Sequence, residues 1–224
     1  MKRAIVTGGS GLIGREICAH LLREGWEVAS FDLKEGNVGV QIHCDLSSED
    51  SINEAFCKLN WDHLDLLVNN GGLVFETFTQ LSETTLDKWK STLDSHLTGA
   101  FMMSRAAQPM LREGGSIIMM ASTRALMSEG IDFSYAAAKG GMLALAQALA
   151  VQLGPKIRVN TIAPGWITDE TDLRDVDNSQ HPVGRVGRPA DIAETVMYLV
   201  SARFVTGETV VVDGGMTKKM IYAE

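Results

Sequence analysis

The chain has 224 residues, with 20 Lys and Arg against 28 Asp and Glu for a formal net charge of -8 at pH 7, and 45% of it is hydrophobic. That length suits one α/β core spanning residues 1–224 as a single domain, and the acidic balance without a Lys/Arg cluster excludes a nucleic-acid partner, whose phosphates require concentrated cations. No apolar run reads as a membrane span, and MKRAIVTGG leads into a glycine turn rather than a signal-peptide apolar region, so the expectation is a cytoplasmic protein with no membrane partner. The cysteines, Cys18, Cys44 and Cys57, are scattered and odd in number, without CxxC spacing; they read as buried free thiols, and no metal-ligand pattern is present.

Short apolar runs alternate with helical patterns from end to end. RAIVT, EVASF, VQIHC, DLLVN, SIIMMAS, IRVNTIA and ETVVVD read as strands. LIGREICAHLLREG, SINEAFCKL, a long stretch from Thr84 to Arg112, YAAAKGGMLALAQALAVQL and ADIAETVMYLVS read as helices. Strands apolar throughout belong in a sheet covered on both faces, and their alternation with helices implies right-handed parallel crossovers. The predicted fold is α/β, a doubly wound parallel sheet of Rossmann type. One segment breaks the composition: Thr168 to Pro182, polar and acidic, follows the sixth strand and so lies where a ligand binds in such a sheet. It reads as a short flap over the site or as a solvated surface loop.

After the first strand, Gly9, Ser10, Gly11, Leu12, Ile13 and Gly14 give the GxGxxG spacing at the start of a helix. Glycines there permit a tight turn and let backbone N–H groups approach a pyrophosphate. Asp32 ends the second strand, where a carboxylate can accept hydrogen bonds from both ribose hydroxyls and would repel a 2′-phosphate. NAD is therefore favoured over NADP, with Lys34 a nearby basic residue that would partly offset Asp32. In YAAAK, Tyr135 and Lys139 share one helix face, and an ammonium beside a phenol lowers its pKa, which suits Tyr135 to general acid/base work. Tyr and Lys at this spacing also occur by chance in many helices.

Taken with NNGG (Asn69 to Gly72), MMAS ending at Ser122, APG (Ala163 to Gly165), PVGRVGRPADIAETVMYLVS and VTGETVVVDGG, the chain resembles the short-chain dehydrogenase/reductase family, in its compact one-domain oxidoreductase subdivision, over essentially its whole length. The resemblance implies that Tyr135 exchanges a proton with the substrate oxygen, that Lys139 lowers its pKa and holds the nicotinamide ribose, and that Ser122 hydrogen-bonds the reacting oxygen. It assigns Asp45 and Leu46 to the adenine side, Asn69 and Gly71 to the adenosine ribose, and Pro164, Gly165 and Ile167 to the turn holding the carboxamide. It further implies a homodimer or homotetramer built through the helices around Thr84–Arg112 and Tyr135–Leu153.

The sequence departs from that family at four places. Leu12 stands where a glycine of the usual turn belongs, so the spacing TGxxGxxG resembles the epimerase-type branch. His96, in HLTG, replaces the family's active-site Asn; as a neutral imidazole it could hold a water, whereas protonated it would repel Lys139. Asp169 occupies the position of the threonine that caps the carboxamide, with Thr168 one residue early. The flap and some connections are short. Arg124 could pair with an anionic substrate, although the flap's Asp169, Glu170, Asp172, Asp175 and Asp177 would repel one. Trp166, Met127 and Phe133 could wall the site or simply pack. The expected activity is NAD-dependent hydride transfer between a small-molecule secondary alcohol and a ketone. The alternatives are a non-catalytic dinucleotide-binding sensor or structural protein, and an epimerase-type enzyme with tightly bound NAD.

Overall fold

The computed structural model describes residues 1–73 and 80–220. Seven strands are present among them: β1 (Arg3–Thr7), β2 (Glu27–Asp32), β3 (Val40–His43), β4 (Leu64–Asn69), β5 (Leu111–Met120), β6 (Arg158–Pro164) and β7 (Thr209–Val212). They form one sheet in the order β3-β2-β1-β4-β5-β6-β7, and every neighbouring pair is parallel. The chain is thus a doubly wound α/β fold of Rossmann type, as its strand–helix alternation predicts.

Why the strands are apolar at every position is visible in β1. Because successive side chains point to opposite faces, Ala4 and Val6 join one core and Ile5 the other. On the first face α1 (Leu12–Arg23) and α7 (Pro189–Ser201) bury Ile17, Leu21, Ile192, Val196 and Leu199 against the sheet. On the second, α2 (Glu49–Leu59), α4 (Gly99–Ala107) and α5 (Phe133–Leu153) bury Ile52, Ala55, Met103, Met142 and Ala146. Each large aliphatic side chain so buried contributes on the order of 2 kcal/mol. The carboxyl ends of the strands collect the turn after β1, Asp32, Asn69, Ser122 and Pro164 along one edge. The strand order reverses between β1 and β4, the position at which open α/β sheets bind ligands.

Three expectations need correction. The long helix is two, α3 (Leu86–Leu93) and α4, joined by a π-helical turn at Asp94–Thr98, and it stops at Ala107 rather than Arg112. Pro109 lacks the N–H that another turn would need, and Leu111 and Arg112 already belong to β5. Cys57 is exposed on the outer side of α2, among Asp50, Asn53, Glu54 and Lys58, whereas Cys18 and Cys44 are buried, with their thiols pushed up to about 12 chiefly by burial. Finally, α5 is long and apolar enough to cross a bilayer by composition alone. It instead covers the sheet, packing against β6 and β5 and carrying the buried Lys139.

The segment after β6 contains a short helix, α6 (Asp175–Ser179), with Asp177 and His181 buried. Arg188 anchors the start of the segment by donating to the carbonyl oxygens of Thr168 and Glu170, at 3.1 and 2.5 Å.

Phe31 is fully buried and meets Phe56 of α2 edge-on with 5.4 Å between ring centroids. Phe31→Ala is expected to cost about 3–5 kcal/mol. In urea unfolding this appears as a lower midpoint with little change in slope.

Candidate active site

The crevice is built on a clasp between the ends of β1 and β4. Thr7 Oγ1 accepts the backbone N–H groups of Asn70 and Gly71, each at 2.9 Å, and Asn70 Nδ2 donates to the carbonyl oxygens of Thr7 and Gly8, at 3.0 and 3.2 Å. The two backbones approach so closely that a Cβ on Gly8 would lie 2.7 Å from Gly71 Cα. One on Gly14 would collide with the Gly8 carbonyl oxygen, and one on Gly9 with Ser30 Oγ. Gly11 is less constrained and sits at the N-terminal cap of α1, with Leu12 the first helical residue. The substitution at Leu12 is thereby absorbed into the helix start. No side-chain cap occupies α1's first turn among the described residues. Its N–H groups and the bare glycine surface fit a pyrophosphate.

Asp32 faces this turn. Its Oδ2 accepts the N–H of Ser10 and its Oδ1 that of Lys34, both at 2.9 Å. Each oxygen keeps an acceptor site for a ribose hydroxyl. Leu46 lies against Gly71, where a Cβ would come within 2.6 Å of its Cδ1, while Asp45 Oδ1 accepts from the backbone and hydroxyl of Ser47. The Asn69 amide nitrogen is committed to the core, donating to Ser104 Oγ at 3.1 Å and to Met119 Sδ at 3.3 Å, while its Oδ1 is buried without a partner among the described residues. Pro164 ends β6, Gly165 bonds Val212 and Ile167 bridges Gly187, which pins the next turn between β7 and α7. Thr168 Oγ1 accepts the N–H of Glu170, and Asp169 is paired at 3.5 Å with Arg15 at the exposed rim.

The NNGG segment links this cradle to a second cluster. Gly72 has φ +151° and lies so close to the His96 ring that a Cβ would collide with Nδ1. His96, in the π-helical turn, donates from Nε2 to the Leu73 carbonyl oxygen at 2.6 Å. That leaves Nδ1 an acceptor, buried and without a partner among the described residues. Burial first, and the Lys139 charge second, push the imidazole down to about 3, so it is neutral across the physiological range. Its ring meets Tyr135 edge-on at 5.2 Å.

Tyr135, Lys139 and Ser122 are brought together as their spacing predicts, with a different electrostatic balance. Lys139 Nζ lies 5.4 Å from the phenol ring centre and donates to the Met120 carbonyl oxygen at 2.6 Å. Burial lowers the lysine to about 7, so near neutrality it carries only part of a charge. Burial also raises Tyr135 above the ordinary phenol range; a hydrogen bond with Ser122 and the charge of Arg124 oppose that rise, and Asp132 adds to it. The expected lowering of the phenol by the Lys139 ammonium is therefore offset, because burial discharges the ammonium and disfavours the phenolate together.

Arg124 does not offer a free guanidinium to an anion. It already pairs with Asp132 at 3.0 Å and Glu129 at 2.8 Å. Phe133 stacks on Trp89 of α3, at 6.4 Å, whereas Trp166 and Met127 are substantially exposed. Thr7, Asn70, Gly72 and Asp132 were given no role in the sequence reading; the NNGG stretch after β4 was the available signal for Asn70 and Gly72, and the VTGG turn for Thr7.

Comparison with known proteins gives this arrangement its family. A family model described as enoyl-(acyl carrier protein) reductase matches residues 10–217. An uncharacterised oxidoreductase of Thermotoga maritima is 37% identical, covering 100% of this chain and 98% of that protein. The 3-oxoacyl-[acyl-carrier-protein] reductase FabG of Staphylococcus epidermidis is 34% identical, over 96% and 98%. Among solved structures, an apo SCOR enzyme from Clostridium thermocellum superposes with a TM-score of 0.92 at 37% identity, covering 99% of this chain and 96% of that one. Thermoplasma acidophilum aldohexose dehydrogenase gives 0.91 at 25%, over 100% and 96%. The chain belongs to the short-chain dehydrogenase/reductase family of oxidoreductases, whose members bind a nicotinamide dinucleotide.

Two measurements check the geometry. Asn70→Ala leaves the Thr7 and Gly8 carbonyl oxygens without their donor, and NADH affinity, read by fluorescence titration, is expected to fall about tenfold. Lys139 gives a stability signature as well. Its folded pKa, about 7, lies below its ordinary value of 10.5, so between these the unfolded chain binds more protons and stability rises with pH. From pH 7 to 8, before the unfolded thiols of Cys18 and Cys44 begin to ionise near 9.0 and act in the opposite sense, the gain is roughly 1 kcal/mol. Lys139→Met is expected to flatten that rise in denaturant titrations.

Proposed function

We propose that the protein is an NAD-dependent oxidoreductase that interconverts a secondary alcohol and a ketone in the cytoplasm. The observation that carries this reading is the continuity of the site: the Gly8–Gly71 cradle, Gly72, His96, Tyr135 and Ser122 follow one another in contact. A dinucleotide held by the glycine turn and Asp32 supplies the hydride-accepting or hydride-donating centre. Ser122 holds the substrate oxygen, and Tyr135 takes its proton in oxidation or returns one in reduction. Lys139, fixed by the Met120 carbonyl, holds the nicotinamide ribose and lends positive charge to the phenol when it is protonated. His96 serves as a neutral acceptor in place of the family's Asn, so it does not oppose a charged Lys139.

Asp32 supports NAD, since both its oxygens stand at the ribose side of the glycine turn and would oppose a 2′-phosphate. A second reading, reduction of a 3-oxoacyl group on a carrier, is favoured by the names of the family model and of FabG. The net charge of -8 and the acidic segment after β6 favour a small uncharged alcohol or ketone over an acidic carrier protein. A homodimer or homotetramer through α4 and α5 accords with their exposed apolar residues, Phe101 and Val151.

NADH formation across a panel of secondary alcohols and polyols tests the reading. Tyr135→Phe is expected to lower kcat by at least about a hundredfold with NADH binding retained. Asp32→Ala is expected to erode a preference for NAD over NADP of about tenfold or more. NADH binding without turnover of any substrate would favour a sensor. Cofactor that survives purification with no net NADH release would favour an epimerase-type enzyme. Preference for NADPH with 3-oxoacyl thioesters would favour the carrier-linked reaction.

A further inference from the structure

The loop from Ser122 to Tyr135 joins the two groups placed on the reacting oxygen, and an ion pair between the half-buried Arg124 and the buried Asp132 closes it. Arg124 donates its backbone N–H to Ser122 Oγ at 3.2 Å, while its guanidinium reaches across to Asp132 Oδ2 at 3.0 Å. Asp132 is the N-terminal cap residue of α5, three positions before Tyr135. An aspartate there ordinarily accepts an N–H of the first helical turn. Asp132 makes no such cap; its carboxylate turns to Arg124, its side chain is only 2% exposed, and its Oδ1 is buried without a partner among the described residues. The second carboxylate on Arg124, that of Glu129, is 70% exposed and contributes little.

We propose that Arg124 and Asp132 form a positioning pair for Tyr135, holding Ser122 and the start of α5 in register and setting two fixed, opposite charges beside the phenol. This rests on the reading of Tyr135 as the acid/base group. The groups facing the phenol come from three places: Asp132 and Lys139 from α5 and its cap, Ser122 and Arg124 from the end of β5, and His96 from the π-helical turn. His96 is neutral, and burial brings Lys139 down to about 7. Arg124 and Asp132 are the ion pair of this set, 3.0 Å apart, and they act on the phenol in opposite senses, the guanidinium favouring the phenolate and the carboxylate the phenol. The forgone cap and the unpartnered oxygen fit a carboxylate placed for this role rather than for helix stability.

A brace and an electrostatic pair predict different things when each partner is removed. Removing either half of a brace damages the site in the same way. Removing either half of the pair moves the phenol in opposite directions. The test compares Asp132→Asn, Arg124→Gln, Arg124→Lys and the double variant Arg124→Gln/Asp132→Asn with the native chain. The first readout is tyrosinate absorbance of the unliganded protein, with Tyr135 isolated from the other two tyrosines by subtracting the same protein carrying Tyr135→Phe. The second is the pH dependence of kcat/KM in alcohol oxidation.

The Tyr135 midpoint is expected to move to lower pH in Asp132→Asn and to higher pH in Arg124→Gln. The double variant should lie between them and Arg124→Lys close to native. Both single variants should also lose about ten- to a hundredfold in kcat through misplacement of Ser122 and Tyr135. Equal losses of kcat with unmoved midpoints, or midpoints moving in the same direction, would overturn the proposal. If one single variant fails to fold, the direction in which the other moves the midpoint still decides it, to lower pH for Asp132→Asn and to higher pH for Arg124→Gln. The absorbance titration needs no turnover, so failure of the functional reading and failure of this proposal are told apart.

Discussion

The structure depends on one backbone approach. Gly8 lies too close to the Gly71 backbone to carry a side chain, a Cβ on Gly71 would press on Leu46 and on the Gly8 N–H, and the contact is held by Thr7 Oγ1 and the Asn70 amide across the β1–β4 boundary. That boundary is where the strand order reverses, so the two chains leaving it diverge to opposite faces and open a crevice. The clasp keeps the crevice narrow at its floor. On one side it presents the glycine turn and the uncapped start of α1; on the other it delivers Gly72 to His96 and, through that ring, to the phenol. Binding surface and chemical groups are thereby held in one continuous piece of packed backbone.

Burial then sets the chemistry of the groups. The same low-dielectric surroundings that bring Lys139 down to about 7 raise Tyr135 and keep His96 neutral. In the unliganded chain the phenol is therefore held protonated, a state suited to donating a proton to a carbonyl oxygen. Oxidation of an alcohol needs the reverse, and the groups that favour the phenolate are the Ser122 hydrogen bond and the Arg124 charge. Placing charge in this environment is costly, which is why Lys139 is fixed by a carbonyl oxygen and Arg124 by carboxylates.

The parts of the site that were legible in the sequence are those specified by local geometry. GxGxxG after a strand, an acidic end to the second strand and a Tyr and Lys one turn apart each have a meaning that short-range spacing fixes. Glycines cannot be replaced where backbone meets backbone, and residues four apart share a helix face. The apolar strands likewise announced a sheet covered on both sides. Less legible were features that arise from contact between distant segments, such as the Asn70 clasp, the Asn69 side chain turned into the core, and Arg124 already occupied by Asp132.

What the sequence by itself determined was the order of strands and helices, the two-sided sheet and the residues assembled at its carboxyl edge, because periodicity and glycine placement are properties of neighbouring residues. The tertiary structure alone decided the charge state of those residues and their partners. Ionisation depends on solvent exclusion and on charges from other elements. Lys139 and Tyr135 look like a phenol beside an ammonium in the sequence. Once packed beneath β5 and beside His96, Arg124 and Asp132, they become a partly discharged amine and a protonated phenol.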